Sequence, residues 1–378
     1  MDKRKLRVGI LFGGKSGEHE VSFCSASSII EAMDRKKYEI VPIGITKNGC
    51  WLSPQESAIA LQTGRIEGNS RVAWKGDPNN EQLLVITREN NKTKYFHLDK
   101  LDVIFPVLHG PFGEDGTVQG LLELVNIPYV GSGVAASAVA MDKEMMKKIF
   151  QQHALPQTKW LALKRKRWIS EKQKVLDEIN NQFSYPIFTK PTNLGSSVGI
   201  TRVMKSQELE NAINIATFYD RKILIEEGVK NALEVECSVL GNDEPDVSLA
   251  GEIIPAGEYY DYNSKYIDKG TRLVIPARVP DNITEEVQRI AKMAYLAIDA
   301  AGLSRVDFFI QRNNNNYKIY LNEINTMPGF TRSSMYPKLW EKSGIYFSEL
   351  IDRLIELSLE RFNDKMSNRT DYPSEILE

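Results

Sequence analysis

The chain has 378 residues, and at roughly 150 residues per domain that length predicts two to three domains. Lys and Arg total 48 against 50 Asp and Glu, a formal net charge of −2 that lacks the clustered basic surplus of a dedicated nucleic-acid binder. A hydrophobic fraction of 42% with 26% charged residues is that of a soluble globular protein and excludes intrinsic disorder as the main state.

The first apolar run, Leu6 to Phe12, predicts a strand entering Gly13-Gly14, with a helix over 20–33 and a second strand over 38–45 (YEIVPIGI). This β-turn-α-β opening is the pattern of an open parallel sheet. About six apolar residues before Gly-Gly are too short for a secretory signal. Residues 47–98 break into short apolar pieces (WLS, RVAW, QLLVIT, KYFHL) between Gly, Asn and Pro, and are expected to be hairpins decorating the first domain. A buried strand over 101–108 (LDVIFPVL) enters the glycine-rich HGPFGEDG, followed by a helix over 117–125 and a strand at IPYVG. The longest uncharged run, 124–141, contains Asn126, Pro128 and glycines. It falls short of the about 20 apolar residues of a membrane span and predicts strand, turn and the start of a buried helix.

From Met141 the texture changes. A helix is expected over 141–153, a strand over 185–190 running into TNLGSSVGI, a helix over 206–216 and a strand over 222–226. Strand-like stretches follow at 234–240, 247–254 and 271–276. Val287, Ile290, Ala291, Ala294 and Ile298 give helical spacing over 284–301. Arg305–Gln311 and Tyr317–Asn322 flank NNNN, the clearest hairpin signal of the chain. A helix over 347–362 closes the fold, and the polar residues 363–378 are expected to fray. The basic KRKR at 164–167 is read as solvated surface. Cys24, Cys50 and Cys237 lie far apart with no CxxC, which supports neither a disulfide framework nor a thiolate metal site and suits a reducing cytoplasm.

The chemistry concentrates in five places. A turn near 313–316 places Asp307 within about one residue of Glu323 across the ladder, with Glu323 and Asn325 on one face. Two carboxylates and an amide oxygen are hard donors of the kind that hold Mg²⁺ on substrate phosphates, although exposed hairpin acids are the plain alternative. The loop NTMPGFTRSSM, from Asn325 to Met335, exposes backbone N–H groups and hydroxyls next to that pair. Lys190 opens the small-residue loop KPTNLGSSVG, which matches neither a P-loop nor GxGxxG but carries the same chemistry for phosphate, with Lys143 as a possible second phosphate lysine. Glu18 and Glu20, after Gly13-Gly14, would repel an anion from the helix start, so a carboxylate there suits a substrate amine or simply the helix dipole. Tyr259–Tyr266 packs four tyrosines and Lys265 into eight residues, a pattern for a mobile lid or a partner-binding patch.

Taken together, FGGKSGEHEVS, HGPFGEDG, GSGVAASAVAMDK, KPTNLGSSVGI, YDYNSKY, RVDFF and LNEINTMPGFT resemble, in order and over residues 6–357, the D-alanine–D-alanine ligases of the ATP-grasp superfamily. The resemblance implies a mixed α/β and α+β fold: a Rossmann-like N-terminal parallel-sheet domain over 1–136 with an insertion at 47–98, then a two-lobed ATP-grasp fold. The lobes would span 137–227 and 228–362, with a lid over 257–275. It implies ligation of two D-alanines through a D-alanyl phosphate for peptidoglycan precursor synthesis, with ATP as substrate and two Mg²⁺ ions, Mn²⁺ being able to substitute.

Residue by residue, the resemblance assigns Asp307, Glu323 and Asn325 to the metals. Lys143, Lys190 and Lys265 go to the ATP phosphates, and Glu226, Val229 and Glu234 to adenine and ribose. Glu18 would receive the first D-alanine's ammonium, tied to the lid by Ser196 and Tyr266, with His109 nearby. Arg305 and the Gly329 N–H would stabilise the oxyanion, and Ser334 and Met335 would meet the second substrate, where many relatives have Ser-Leu. Tyr266, in place of the Phe of some D-lactate-using relatives, favours D-alanine as second substrate. A cytoplasmic homodimer with no nucleic-acid or membrane partner is also implied. The alternatives are a D-lactate or D-serine ligase of the same family, another ATP-grasp ligase, and a non-catalytic nucleotide-binding protein. A Rossmann oxidoreductase is weakened by the missing GxGxxG.

Overall fold

The computed structural model describes residues 4–75, 83–89, 92–255, 271–314 and 316–369. The chain opens as β1 (Leu6–Gly13), α1 (His19–Ala32) and β2 (Tyr38–Ile45), and β6 (Val103–Val107) joins β1 from the other side. The three strands form a parallel sheet in the order β2-β1-β6, with Val8 opposite both Ile40 and Val103. Alternation along β1 explains why both faces are covered. Val8, Ile10 and Phe12 pack with Ala26 and Ile29 of α1, whereas Leu11 packs with Ile43, Val118 and Leu122 on the opposite side. Each of these buried Val, Ile, Leu and Phe side chains contributes about 1.5–3 kcal/mol relative to exposure.

The insertion departs from the expected row of hairpins. It begins with a helix, α2 (Pro54–Thr63), before the antiparallel sheet β3 (Arg71–Ala73), β4 (Leu84–Glu89) and β5 (Lys92–His97). Ser53 caps that helix by accepting from the Glu56 N–H at 3.3 Å, Pro54 occupies the first turn, and Gly64 ends it at φ +75°. The expected strand at IPYVG reduces to one parallel bridge, Ile104 to Tyr129, because the chain turns away at Gly131.

Helices α3 (Thr117–Leu124), α4 (Val134–Met141) and α5 (Lys143–Gln152) lead into the middle of the chain. The helix expected over 141–153 is α5, which starts at Lys143 because the Asp142 carboxylate accepts from the N–H groups of Glu144 and Met145 and caps it, while Met141 ends α4. A four-stranded antiparallel sheet follows, in the order β7 (Trp160–Lys164), β10 (Lys222–Glu227), β8 (Ile187–Pro191) and β9 (Thr201–Val203). Helices α6 (Arg165–Ser170), α7 (Lys172–Gln182) and α8 (Leu209–Tyr219) cover it, and its core runs from Leu163 to Ile225.

The last sheet runs β14 (Arg272–Val274), β13 (Gly251–Ile254), β11 (Ala232–Gly241), β15 (Gly302–Asn313), β16 (Asn316–Asn325), with the short β12 (Asp246–Val247) paired to β11. One face packs on α9 (Asp281–Ala297), where Val287, Ile290, Ala291 and Ala294 meet Val235, Cys237, Val306, Phe308 and Ile310. The other face carries Glu236, Arg305 and Asp307. A β-bulge in β16 sets this division. Asp307 pairs with Glu323 but Phe308 pairs with Leu321, leaving Asn322 as the extra residue. Without it Leu321 and Glu323 would share a face; with it Leu321 enters the core while Glu323 lines a cavity.

Helices α10 (Met335–Lys342) and α11 (Phe347–Met366) close the chain. The final helix passes the expected end at 362, and Arg361 sits 4.5 Å over the Tyr129 ring while Lys365 pairs with Glu123. Residues 370–378 of the expected frayed tail lie outside the described residues. Among the described residues no helix is long and apolar enough to cross a membrane.

Candidate active site

A polar cavity of about 810 Å³ lies between the β8–β10 sheet and the β11–β15–β16 sheet. Lys143, Lys190, Ser196, Glu226, Val229, Glu234, Asp307 and Glu323 all line it. Residues implicated separately by the sequence are therefore brought to one space from six elements and two loops.

At its inner end Glu226 is buried and fully engaged. Its Oε1 is 2.6 Å from the Lys147 ammonium and accepts from the Thr158 hydroxyl, while Oε2 is 2.6 Å from Lys190 Nζ. Burial alone would raise the Glu226 pKa, but the two ammonium groups outweigh it and hold the carboxyl well below the carboxylate range. Burial works against the Lys190 charge too, yet Glu226 keeps its pKa above the ordinary lysine value. For Lys147 burial dominates and the pKa falls. Lys147 and Thr158 were not singled out from sequence. Lys147 stands four residues after Lys143 on α5, hence on the same helix face, and that spacing was the available signal.

Across the cavity, Asp307 on β15 lies opposite Glu323 on β16 and opposite Glu236 on β11. The Arg305 fork donates to Asp307 through Nε and a terminal nitrogen, both at 2.7 Å, and the same Nε lies 3.0 Å from Glu236 Oε2. Asn325 Nδ2 donates to Asp307 Oδ2 at 3.1 Å. Burial opposes the Arg305 charge, but Asp307 and Glu236 outweigh it and raise its pKa. Lys143 Nζ donates to the Leu194 carbonyl at 3.1 Å and lies 3.3 Å from Glu323 Oε2. Among the described residues no three His, Cys, Asp or Glu side chains converge as a cage. Two carboxylates and an amide with adjoining space fit Mg²⁺, which retains waters and substrate phosphates in its shell.

A second group of residues adjoins the Gly13-Gly14 turn. A Cβ at Gly13 (φ +89°) would stand 2.3 Å from the Ile45 carbonyl, so the turn requires glycine. Glu18 precedes α1, and its N–H donates to Ser16 Oγ at 3.1 Å while Ser16 donates to the His109 carbonyl at 2.8 Å. The Ser196 hydroxyl donates to Glu18 Oε1 from the loop after β8. Ser196 and Ser197 hold φ of +49° and +58°, which costs of order 1–3 kcal/mol each and is compensated by that loop's contacts. Gly110 approaches so closely that a Cβ there would lie 2.8 Å from Glu18 Oε2.

His109 is buried, with Nδ1 3.0 Å from the Met327 carbonyl and Nε2 3.1 Å from Ser25 Oγ. Burial pushes its pKa below the usual histidine range, against the pull of Glu18. Glu114, also not singled out from sequence, accepts from the Gly110 N–H at 2.5 Å, and burial together with the Glu18 charge raises its pKa to about 8. The Arg305 charge lowers the pKa of both His109 and Glu114, though it is the weakest influence on either. Ser334 occupies the position before α10, beside Gly329, and its hydroxyl accepts from the Thr331 N–H at 3.0 Å instead of capping the helix. Met335 is buried against Ile253 and Leu339. Lys265 and Tyr266, the expected lid residues, lie outside the described residues.

The chain compares closely with known proteins over nearly its whole length. Residues 7–132 match the family described as D-ala D-ala ligase N-terminus, and residues 149–356 that described as D-ala D-ala ligase C-terminus. A D-alanine–D-alanine ligase of Natranaerobius thermophilus is 49% identical over 370 residues, covering 98% of this chain and 99% of the relative. One of Acetivibrio thermocellus is 48% identical, covering 96% and 98%. Among solved structures, the VanG D-Ala:D-Ser ligase from Enterococcus faecalis superposes with a TM-score of 0.81 at 35% identity, covering 94% of this chain and 100% of that one. The D-alanine-D-alanine ligase from Coxiella burnetii gives 0.77 at 34%, covering 96% of each. Sequence, fold and the joining of both motif groups through the Ser196–Glu18 bond agree: the chain belongs to the D-alanine–D-alanine ligase family.

Proposed function

We propose that this protein joins two D-alanines into D-alanyl-D-alanine, using ATP and passing through a D-alanyl phosphate, to supply peptidoglycan precursor. The observation that carries this reading is the meeting of an amine-binding acid, Glu18, with the Lys143–Lys190–Asp307 phosphate end of the cavity through the Ser196 loop. A generic nucleotide-binding protein needs only the second half.

In this reading β10 and β11 hold the nucleoside through Glu226, Val229 and Glu234, and Lys143 and Lys190 meet the phosphates. Asp307, Glu323 and Asn325 would hold Mg²⁺, which when bound neutralises phosphate charge. Glu18 receives the ammonium of the first D-alanine, with His109 alongside, and leaves its carboxylate to attack the γ-phosphorus as ADP departs. The amine of the second D-alanine, its carboxylate at Ser334 and its methyl against Met335, then attacks the acyl carbon and displaces phosphate. Arg305 and the Gly329 N–H face the oxyanion of that step, where one donor is worth about 3–4 kcal/mol. Lys265 and Tyr266 take the lid roles. The protein works as a cytoplasmic homodimer.

The test is a product analysis with ATP, Mg²⁺ and D-alanine, following phosphate release and product mass together, with L-alanine and a chelator as controls. Stoichiometric D-alanyl-D-alanine, lost on chelation and restored by Mn²⁺, is expected. ATP binding without turnover would overturn the enzymatic reading. The likeness to a D-Ala:D-Ser ligase makes D-serine, beside D-lactate, a necessary competing second substrate.

A further inference from the structure

The Arg305 guanidinium is held by two acids on different strands. Asp307 takes both of its forward N–H bonds at 2.7 Å, and Glu236 lies 3.0 Å from Nε on the neighbouring strand β11. The register is a ladder: Glu236, Asp307 and Glu323 stand side by side across β11, β15 and β16, with Ser238, Arg305 and Asn325 as the next row. Glu236 is 4% exposed, so its position is fixed by packing, and an acid so buried persists only where a cation compensates it.

The two acids have different prospects. Asp307 sits between Arg305 and the Glu323–Asn325 pair and also accepts from Asn325. A carboxylate that turns lone pairs toward a divalent cation has fewer left for a guanidinium fork, so its hold on Arg305 weakens. Glu236 lies on the far side of Arg305 from that pair in strand order. We propose that Glu236 is a positioning residue that retains the Arg305 guanidinium at the reacting carbonyl whenever Asp307 serves as a metal ligand. This rests on the ligase reading above, and it extends the reaction's machinery to an acid on β11 that lines the cavity beside Asp307 and acts through Arg305.

The test compares wild type with Glu236→Gln, which keeps shape and removes charge, and with Glu236→Asp. Wild-type turnover of D-alanine must be seen first; its absence overturns the ligase reading rather than this one. With it in hand, Glu236→Gln should lower kcat by about 10- to 100-fold and leave the KM for ATP within about twofold, as expected for second-layer partners. Glu236→Asp should recover part of the loss. Mn²⁺ binding to the ATP-loaded protein, read by water-proton relaxation, should change less than about twofold, because the ligands are intact. In an Arg305→Lys background Glu236→Gln should cost little more, since both act through one group. An unchanged kcat in Glu236→Gln overturns the proposal, as does weakened Mn²⁺ binding, which would make Glu236 a ligand. Should Glu236→Gln fail to fold, Glu236→Asp decides alone: a loss of kcat at constant Mn²⁺ affinity supports the proposal and wild-type kcat overturns it.

Discussion

The Ser196 hydroxyl donates to the Glu18 carboxylate, joining the loop after β8 to the residue that precedes α1 across 178 residues of sequence. A hydrogen bond to a charged group is worth about 1.5–3 kcal/mol, so it both closes the loop over the site and fixes the acid's direction. Ser196→Ala should raise the KM for D-alanine about tenfold or more while the KM for ATP moves little. Steady-state kinetics with each substrate varied separately checks this.

Glu226 is the hub of a buried network, with Lys147, Lys190 and Thr158 on its two oxygens. Glu226→Gln leaves two buried ammonium groups without their counter-charge, and breaking such a network costs about 3–5 kcal/mol. A large fall in melting temperature and a raised KM for ATP are expected. Lys147→Met should be milder, because Glu226 keeps Lys190. The Glu226 pKa lies below its ordinary value, so its contribution is present at neutral pH and fades only in strong acid.

Glu114 has the opposite sign. Its pKa is raised from 4.5 to about 8, so between those values the native state holds a proton that the unfolded state has released. Stability therefore falls as pH rises through that window. Glu114→Gln retains an acceptor for the Gly110 N–H and carries no charge. Relative to wild type, its melting temperature should rise from about pH 5 to about pH 8. A constant difference across that range would mean the proton is not held.

Tyr266 lies outside the described residues, and the family resemblance is what points to it as a determinant of the second substrate. If its hydroxyl takes part in selecting an amine nucleophile, Tyr266→Phe should increase depsipeptide formation when D-lactate competes with D-alanine. Mass analysis of the mixed products reads the ratio directly, and an unchanged ratio removes the argument.

What the sequence carried best was local. Arg305-Val306-Asp307 and Glu323-Ile324-Asn325 flank a short turn, so pairing geometry brings the acids together whatever else the fold does. The parity change at Asn322 was not legible, because a bulge is set by which residues the core accepts. The helix over Pro54–Thr63 had its signals in full, Ser53 with Glu56 three residues on, Pro54 at the start and Gly64 at the end, but the short apolar pieces around it suggested strands. Thr158 and Lys147 against Glu226, and Glu114 beside Glu18, join residues far apart in the chain. Nothing in composition or period marks such pairs before the sheets are packed.

The sheet of residues 160–227 has a core of its own, from Leu163 to Ile225, whereas β1, β6 and α1 share one core with α11, Phe330 and Trp340. The two walls of the cavity therefore belong to bodies with separate cores, and the helices on either side of Asp142 both pack into the core of the β11–β15–β16 sheet. The measured affinity for ATP is then the difference between its contacts with both walls and the free energy of holding those walls at one separation. A cross-link that fixed the two bodies at the closed spacing would tighten nucleotide binding without touching a single nucleotide contact, and would slow turnover by trapping ADP.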